Sequence, residues 1–114
     1  MSTEDDVREI ALSLRGTAEK PSYGTPGFRV KDVLFARLHE MPDVLLAWRP
    51  SIDDREDLIR SDPDKYFTTD HYAEHSSVLV RLPAVDKDEL RELLEEAWEA
   101  RAPATLRKLG PRPD

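Results

Sequence analysis

Four short apolar runs each carry an arginine out of phase with their apolar residues. These are Arg29 in Phe28–Val30, Arg37 in Val33–His39, Arg49 in Val44–Pro50 and Arg81 in Val78–Leu82. In extended backbone, successive side chains point to opposite faces. Read as strands, the runs turn their apolar residues one way and their guanidinium groups the other, together with Lys31, Phe35 and His39. The planar fork of arginine binds phosphate or carboxylate through two parallel bonds. Strands about 4.8 Å apart would bring several such forks within reach of one polyanion. A basic face with an interleaved aromatic is the pattern of a nucleic-acid platform. An exposed sheet face also needs charge for solubility, and carboxylates of the 62–74 stretch are available partners. Arg29, Lys31, Arg37, Arg49 and Arg81 are therefore the candidate nucleic-acid or anion site.

A second group of residues lies in Asp70-His71-Tyr72-Ala73-Glu74-His75. Two histidines four apart share one face of a helix and suit a metal. Here the glutamate directly precedes the second histidine, so the metalloprotease order His-Glu-x-x-His is absent, and the spacing fixes no third ligand. No metal is assigned. In Gly24-Thr25-Pro26-Gly27 the proline removes an N–H that a phosphate nest would need, so this stretch reads as a turn placing Tyr23 and Phe28. Tyr23, Phe28, His71 and Tyr72, near Arg49, make a candidate ligand groove. No nucleophile elbow, phosphate loop or dinucleotide turn occurs, and no carboxylate pair sits in apolar surroundings that would tune it for acid–base work. The expectation is a non-enzymatic protein without a cofactor.

Composition narrows the partners. The chain has 114 residues, 36% of them charged, and a formal net charge of −7. As a whole it repels nucleic acid and anionic membranes, so any anion binding must be local. Neutralising about 4 phosphates gives a salt slope of roughly −3.6, which makes DNA binding weak and salt-sensitive. There is no cysteine, which suits a reducing cytoplasm. The acidic start Met1-Ser2-Thr3-Glu4-Asp5-Asp6 has no leader pattern, and no apolar run approaches the ~20 residues of a membrane span. A cytoplasmic monomer is expected, bearing one domain over residues 1–109 and a flexible tail over 110–114.

The elements that must position these residues follow from periodicity. Residues 3–15 form a helix capped by Thr3 and Asp6, with Val7, Ile10, Ala11 and Leu14 on one stripe and Gly16 beyond its end. Lys20–Gly27 is a breaker-rich extended segment. Phe28–Lys31, Val33–His39 and Val44–Arg49 make an antiparallel meander through tight turns at Lys31-Asp32 and Glu40–Asp43. Ser51 and Asp54 open a helix near 52–61 with Leu58 and Ile59 inward; residues 64–76 are irregular, and Ser77–Leu82 is a fourth strand. Asp86 and Glu89 cap a helix whose Leu90, Leu93, Leu94, Ala97 and Trp98 form an unbroken apolar face, stopped by Pro103. The fold class is α+β: a two-layer domain with helices on one face of an antiparallel sheet and the other face open. The expected core includes Val7, Ile10, Leu14, Phe28, Val30, Leu34, Ala36, Leu38, Leu46, Trp48, Val78, Val80, Leu90, Leu94 and Trp98.

Lys20-Pro-Ser-Tyr-Gly-Thr-Pro-Gly-Phe-Arg-Val-Lys-Asp-Val-Leu-Phe-Ala-Arg-Leu38 resembles the signature of the MmcQ/YjbR family. The likeness continues through Leu45–Pro50, Lys65–Tyr72 and Ser77–Leu82 and extends to about Ala102. It implies a small bacterial protein of CyaY-like fold, labelled DNA-binding by a structural analogy to double-wing proteins, with no catalytic motif, metal or cofactor. The residues at matched positions that would serve a ligand are Tyr23, Phe28, Arg29, Lys31, Arg37, Arg49, His71, Tyr72 and Arg81. The helix at 51–61 is mostly acidic, so a DNA contact would fall to the sheet face. The other reading is a module that binds an anionic metabolite, an acidic peptide or a partner protein.

Overall fold

The computed structural model describes residues 1–113. A six-stranded antiparallel sheet of spatial order β1-β2-β3-β4-β6-β5 forms one layer. Its strands are β1 (Thr17–Ser22), β2 (Thr25–Val30), β3 (Val33–Leu38), β4 (Val44–Trp48), β5 (Tyr66–Phe67) and β6 (Ser77–Arg81). Helices α1 (Glu4–Ser13), α2 (Ile52–Ser61), α3 (Lys87–Arg101) and the short α4 (Ala104–Arg107) complete the α+β architecture, with single 3₁₀ turns at Asp70–Tyr72 and Leu82–Ala84.

Local chemistry accounts for the helix ends. Thr3 and Asp6 close a reciprocal capping box on α1, and Asp86 and Glu89 close another on α3. Ser51 accepts from the Asp54 amide at the start of α2. Each cap satisfies amides that have no partner within the helix and contributes about 1 kcal/mol. The sheet holds two strands more than expected. The breaker-rich segment before Phe28 is itself a hairpin, β1 pairing with β2 from Thr17↔Val30 to Ser22↔Thr25. Tyr66 and Phe67 add a two-residue strand on β6. Residues 110–112 bond to the body: Arg15 donates to the carbonyls of Gly110, Pro111 and Arg112, and Arg112 pairs with Glu95. Asp114 lies outside the described residues.

Gly27 fits where little else would. A Cβ there would stand 2.9 Å from the Ser22 Cβ and 3.0 Å from the Lys20 carbonyl oxygen, so the closely folded β1–β2 hairpin requires glycine.

The main core lies between the sheet and α1 and α3. Val7, Ala11, Phe28, Phe35, Val80, Leu90, Leu94 and Trp98 are fully buried there, and each large side chain is worth about 1.5–3 kcal/mol in surface removed from water. The Trp98 indole N–H donates to the Arg15 carbonyl at 2.8 Å, so its one polar atom is satisfied.

Three residues assigned to this core face the other way. Leu46 belongs to a separate small cluster with Val44 and Leu79 on the opposite side of the sheet, and Trp48 packs at its border. Leu34 also lines that side. The reason at Leu34 is a β-bulge. Phe28 pairs with Ala36 but Arg29 pairs with Leu34, so Phe35 is an extra residue in β3. The extra residue reverses the alternation. Phe35 enters the main core, where it is fully buried, while Leu34 is turned out. In β4 the parity is the reverse of that expected: Leu45 and Ala47 face the helices.

Candidate ligand cleft

That reversal relocates Arg49. It follows Leu45 and Ala47 on the helix side, where it is 5% exposed and bonded to Asp54 of α2 at 2.7 Å and Glu96 of α3 at 3.2 Å. It is a structural ion pair joining two helices and forms no part of an open basic face.

The other candidate cations do not converge. Arg37 does face away from the helices, but it is 5% exposed. Its Nη1 donates to Glu40 at 3.0 Å and the Leu38 carbonyl at 3.3 Å, and its Nη2 donates to the Tyr72 hydroxyl at 2.9 Å. Arg29 bonds the Asp32 carbonyl in its own turn, and Lys31 is exposed in that turn. Arg81 stacks over Phe67 at 4.1 Å and bonds the carbonyls of Pro63 and Asp64. By register, Arg81 lies level with Val44 and Arg29 with Leu34. Strand spacing and rise then separate them by about 20 Å. Phe28, expected both in the core and at the ligand groove, is fully buried in the main core and takes no part in the cleft.

What the open side holds is a cleft of about 620 Å³. Its floor is β3 and β4, with Leu34, Arg37, Leu46 and Trp48. Its roof is the irregular 69–75 segment, and its rim is Tyr23, Glu40 and Met41. Of the sequence-derived candidates, Arg37, Tyr23, His71 and Tyr72 meet here.

Tyr72 is the centre. Its ring stands edge-on to those of His39, His71 and His75, with centroids at 5.8, 4.7 and 6.3 Å. These are all three histidines of the chain. Its hydroxyl meets His39 Nε2 at 3.1 Å as well as Arg37. His39 Nδ1 accepts the Met41 amide proton at 3.1 Å, so the neutral ring carries its proton on Nε2. Burial, chiefly, holds the His39 pKa below the ordinary histidine range. Glu40 is held below the usual carboxylate range, first by a backbone hydrogen bond and then by Arg37. The three histidines form no metal centre, and no cluster of metal-ligating side chains occurs among the described residues.

The roof is fixed by Arg55, a residue that no sequence pattern singled out. It projects from an acidic stretch of α2 yet is 2% exposed. Its guanidinium donates to the carbonyls of Tyr72 at 2.8 Å, Ala73 at 3.1 Å and His75 at 2.7 Å, and pairs with Glu56. Irregular backbone covering a sheet needs such partners for its carbonyls. Glu40 and Met41 also escaped the sequence reading of the site, whereas His39 was placed with the arginines by strand parity and His75 was weighed only as half of a metal-binding pair with His71.

Tyr23 sits at the tip of the β1–β2 hairpin with φ 54°, followed by Gly24 at 80°. This is a two-residue turn of type I′, which favours asparagine or glycine at its first position. The tyrosine is 83% exposed, and its ring stands 5.2 Å from the Arg37 guanidinium.

An antiparallel α+β domain with a loop-roofed cleft on its helix-free face is thus the class that fold and site define. The particular family follows from the sequence: the profile of the YjbR family matches residues 12–100, and the chain belongs to that family. It is similar to uncharacterized proteins of Mycobacterium bovis and Mycobacterium tuberculosis, 45% identical over 49 residues. That match covers 43% of this chain and 38% of each relative's length. No solved structure matches. No helix among the described residues is long and apolar enough to cross a membrane.

Proposed function

We propose that this domain is a non-catalytic ligand-binding module, acting as a cytoplasmic monomer, whose cleft takes a small anionic molecule. The observation that carries this reading is the convergence of Arg37, His39, Tyr72 and their neighbours in one cleft of about 620 Å³. Ligand sites are typically concave, mostly apolar and provided with a few convergent polar groups, in volumes of roughly 300–1,000 Å³. Leu34, Met41, Leu46 and Trp48 supply the apolar walls, and the Arg37–Tyr72–His39 group supplies the polar end.

The family label of DNA binding finds less support in the geometry. A polyanion reads a continuous field of cations. Here Arg49 is spent between two helices, Arg37 is enclosed, and Arg29 and Arg81 stand at opposite ends of the sheet. A paired titration tests the choice. Amide shifts in ¹⁵N-labelled protein are recorded against a panel of small carboxylates and phosphates, and polarisation is recorded with a labelled DNA duplex at low salt. Shifts confined to residues 37–41 and 69–76, with no DNA binding, are expected. DNA binding abolished by Arg29→Ala with Arg81→Ala, and a cleft that no small molecule perturbs, would overturn the proposal.

A further inference from the structure

Resting on the cleft's being a ligand site, we infer that its ligand is a planar aromatic molecule with a single carboxylate. The carboxylate is received by the Tyr72 hydroxyl and the ring lies under Tyr23. The hydroxyl comes first. Its oxygen accepts from Arg37 Nη2 at 2.9 Å. His39 Nε2, 3.1 Å away, carries a proton because Nδ1 is already accepting from the Met41 amide. His39 therefore cannot accept the tyrosine proton, and no other acceptor among the described residues bonds that hydroxyl. Tyr72 is left with a free O–H beside the cleft, in a hydroxyl polarised by a cation. An acceptor brought by the ligand completes the network, and an ionised acceptor makes the stronger bond.

The charge of the ligand follows from Glu40. Its carboxylate pairs with Arg37 at 3.0 Å and approaches His39 Nε2 at 3.3 Å, so the one fixed cation of the cleft already has one anion. Donors remain in excess: the Tyr72 O–H, His71, His75 and Thr69 all line the space, and among the described residues Glu40 is its only carboxylate. A single carboxylate suits that excess. A phosphate dianion would face Glu40 with no uncommitted arginine to offset it.

The ring follows from Tyr23. A bulky residue with positive φ is strained, and such strain collects where geometry serves a ligand. Tyr23 keeps that conformation while 83% exposed, so burial does not explain it. It lines the cleft with Trp48 and Met41, its ring beside the Arg37 guanidinium at 5.2 Å, and stacking on a tyrosine face favours a flat, aromatic partner.

The test uses indole-3-acetate and its uncharged isostere indole-3-acetamide, titrated into the ¹⁵N-labelled full chain. The acid is expected to bind at least about tenfold more tightly than the amide, the worth of one charge-assisted hydrogen bond. Tyr72→Phe should remove that preference by weakening the acid far more than the amide, which loses only a neutral hydrogen bond. Tyr23→Asn should weaken both ligands several-fold while raising the melting temperature, because asparagine suits the turn. Equal binding of acid and amide, or a preference that survives Tyr72→Phe, overturns the carboxylate assignment and leaves the cleft as a ligand site. Failure of both probes at about 10 mM, the weak end of fragment affinity, together with silence from the small-anion panel, overturns the cleft reading itself.

Discussion

The two faces of this sheet are covered by different means. On one, α1 and α3 lay continuous apolar stripes over Phe28, Phe35 and Val80, and Arg49 at the margin is neutralised by Asp54 and Glu96. On the other, a small cluster of Val44, Leu46 and Leu79 lies under an irregular segment that Arg55 holds by its carbonyls. The first face is held by area, and the second by a few directed bonds. Area is non-directional and insensitive to detail, whereas directed bonds can be rearranged by a ligand that offers better ones. The histidines and the strained tyrosine all line the cleft on the second face, where irregular segments on a rigid scaffold carry function.

The comparison can be broken most forcefully at Phe35. Phe35→Ala should cost about 3–5 kcal/mol by denaturant unfolding, as expected for a fully buried aromatic. A loss below about 1 kcal/mol would mean that the bulge does not feed the main core. Arg55→Met comes next, at about 2–3 kcal/mol, because carbonyls lose their donors. Its signature is local: amide exchange should quicken at residues 69–76 and stay unchanged in α3. Uniform quickening would show that the two faces share one cooperative unit.

The pH dependence sharpens the contrast further. The folded-state pKa of His39 is depressed, so the unfolded chain binds the extra proton first. His39 therefore contributes stability above its unfolded value of about 6.5, and this is lost as pH falls through the lower folded value. His39→Gln should flatten the fall in melting temperature between pH 7 and pH 5. An unchanged slope would place the titrating group elsewhere. The smallest effect belongs to Arg81→Ala. The side chain is exposed, stacked on Phe67 and bonded to two carbonyls, and its loss should cost under about 1 kcal/mol.

Much of the helix-covered half was legible in the sequence because its signals are local and periodic. The Thr3–Asp6 and Asp86–Glu89 boxes, the α3 stripe and the Lys31-Asp32 turn each announce themselves within a few residues. Alternation failed where a single extra residue, Phe35, reset the parity of β3, and where β4 carries an apolar residue at every position from Val44 to Trp48. A strand buried on both sides offers no pattern from which to choose a face. The β1 strand was hidden by Pro21 and by its charged residues, which suit an edge. At the cleft, Tyr23, Arg37, His71 and Tyr72 were identifiable by type. Their meeting depends on bonds across 35 residues between Arg37 and Tyr72, and spacing alone carries no trace of these. Arg55 was invisible because its partners are main-chain carbonyls, which every residue possesses.

That last property has an evolutionary consequence. A clasp that grips only carbonyl oxygens places no demand on the identity of the residues it grips. The side chains at 71–75 can therefore be exchanged one by one without unfastening the segment that carries them. A lineage of such proteins retunes what it recognises while its scaffold and its Arg55 clasp from α2 stay the same.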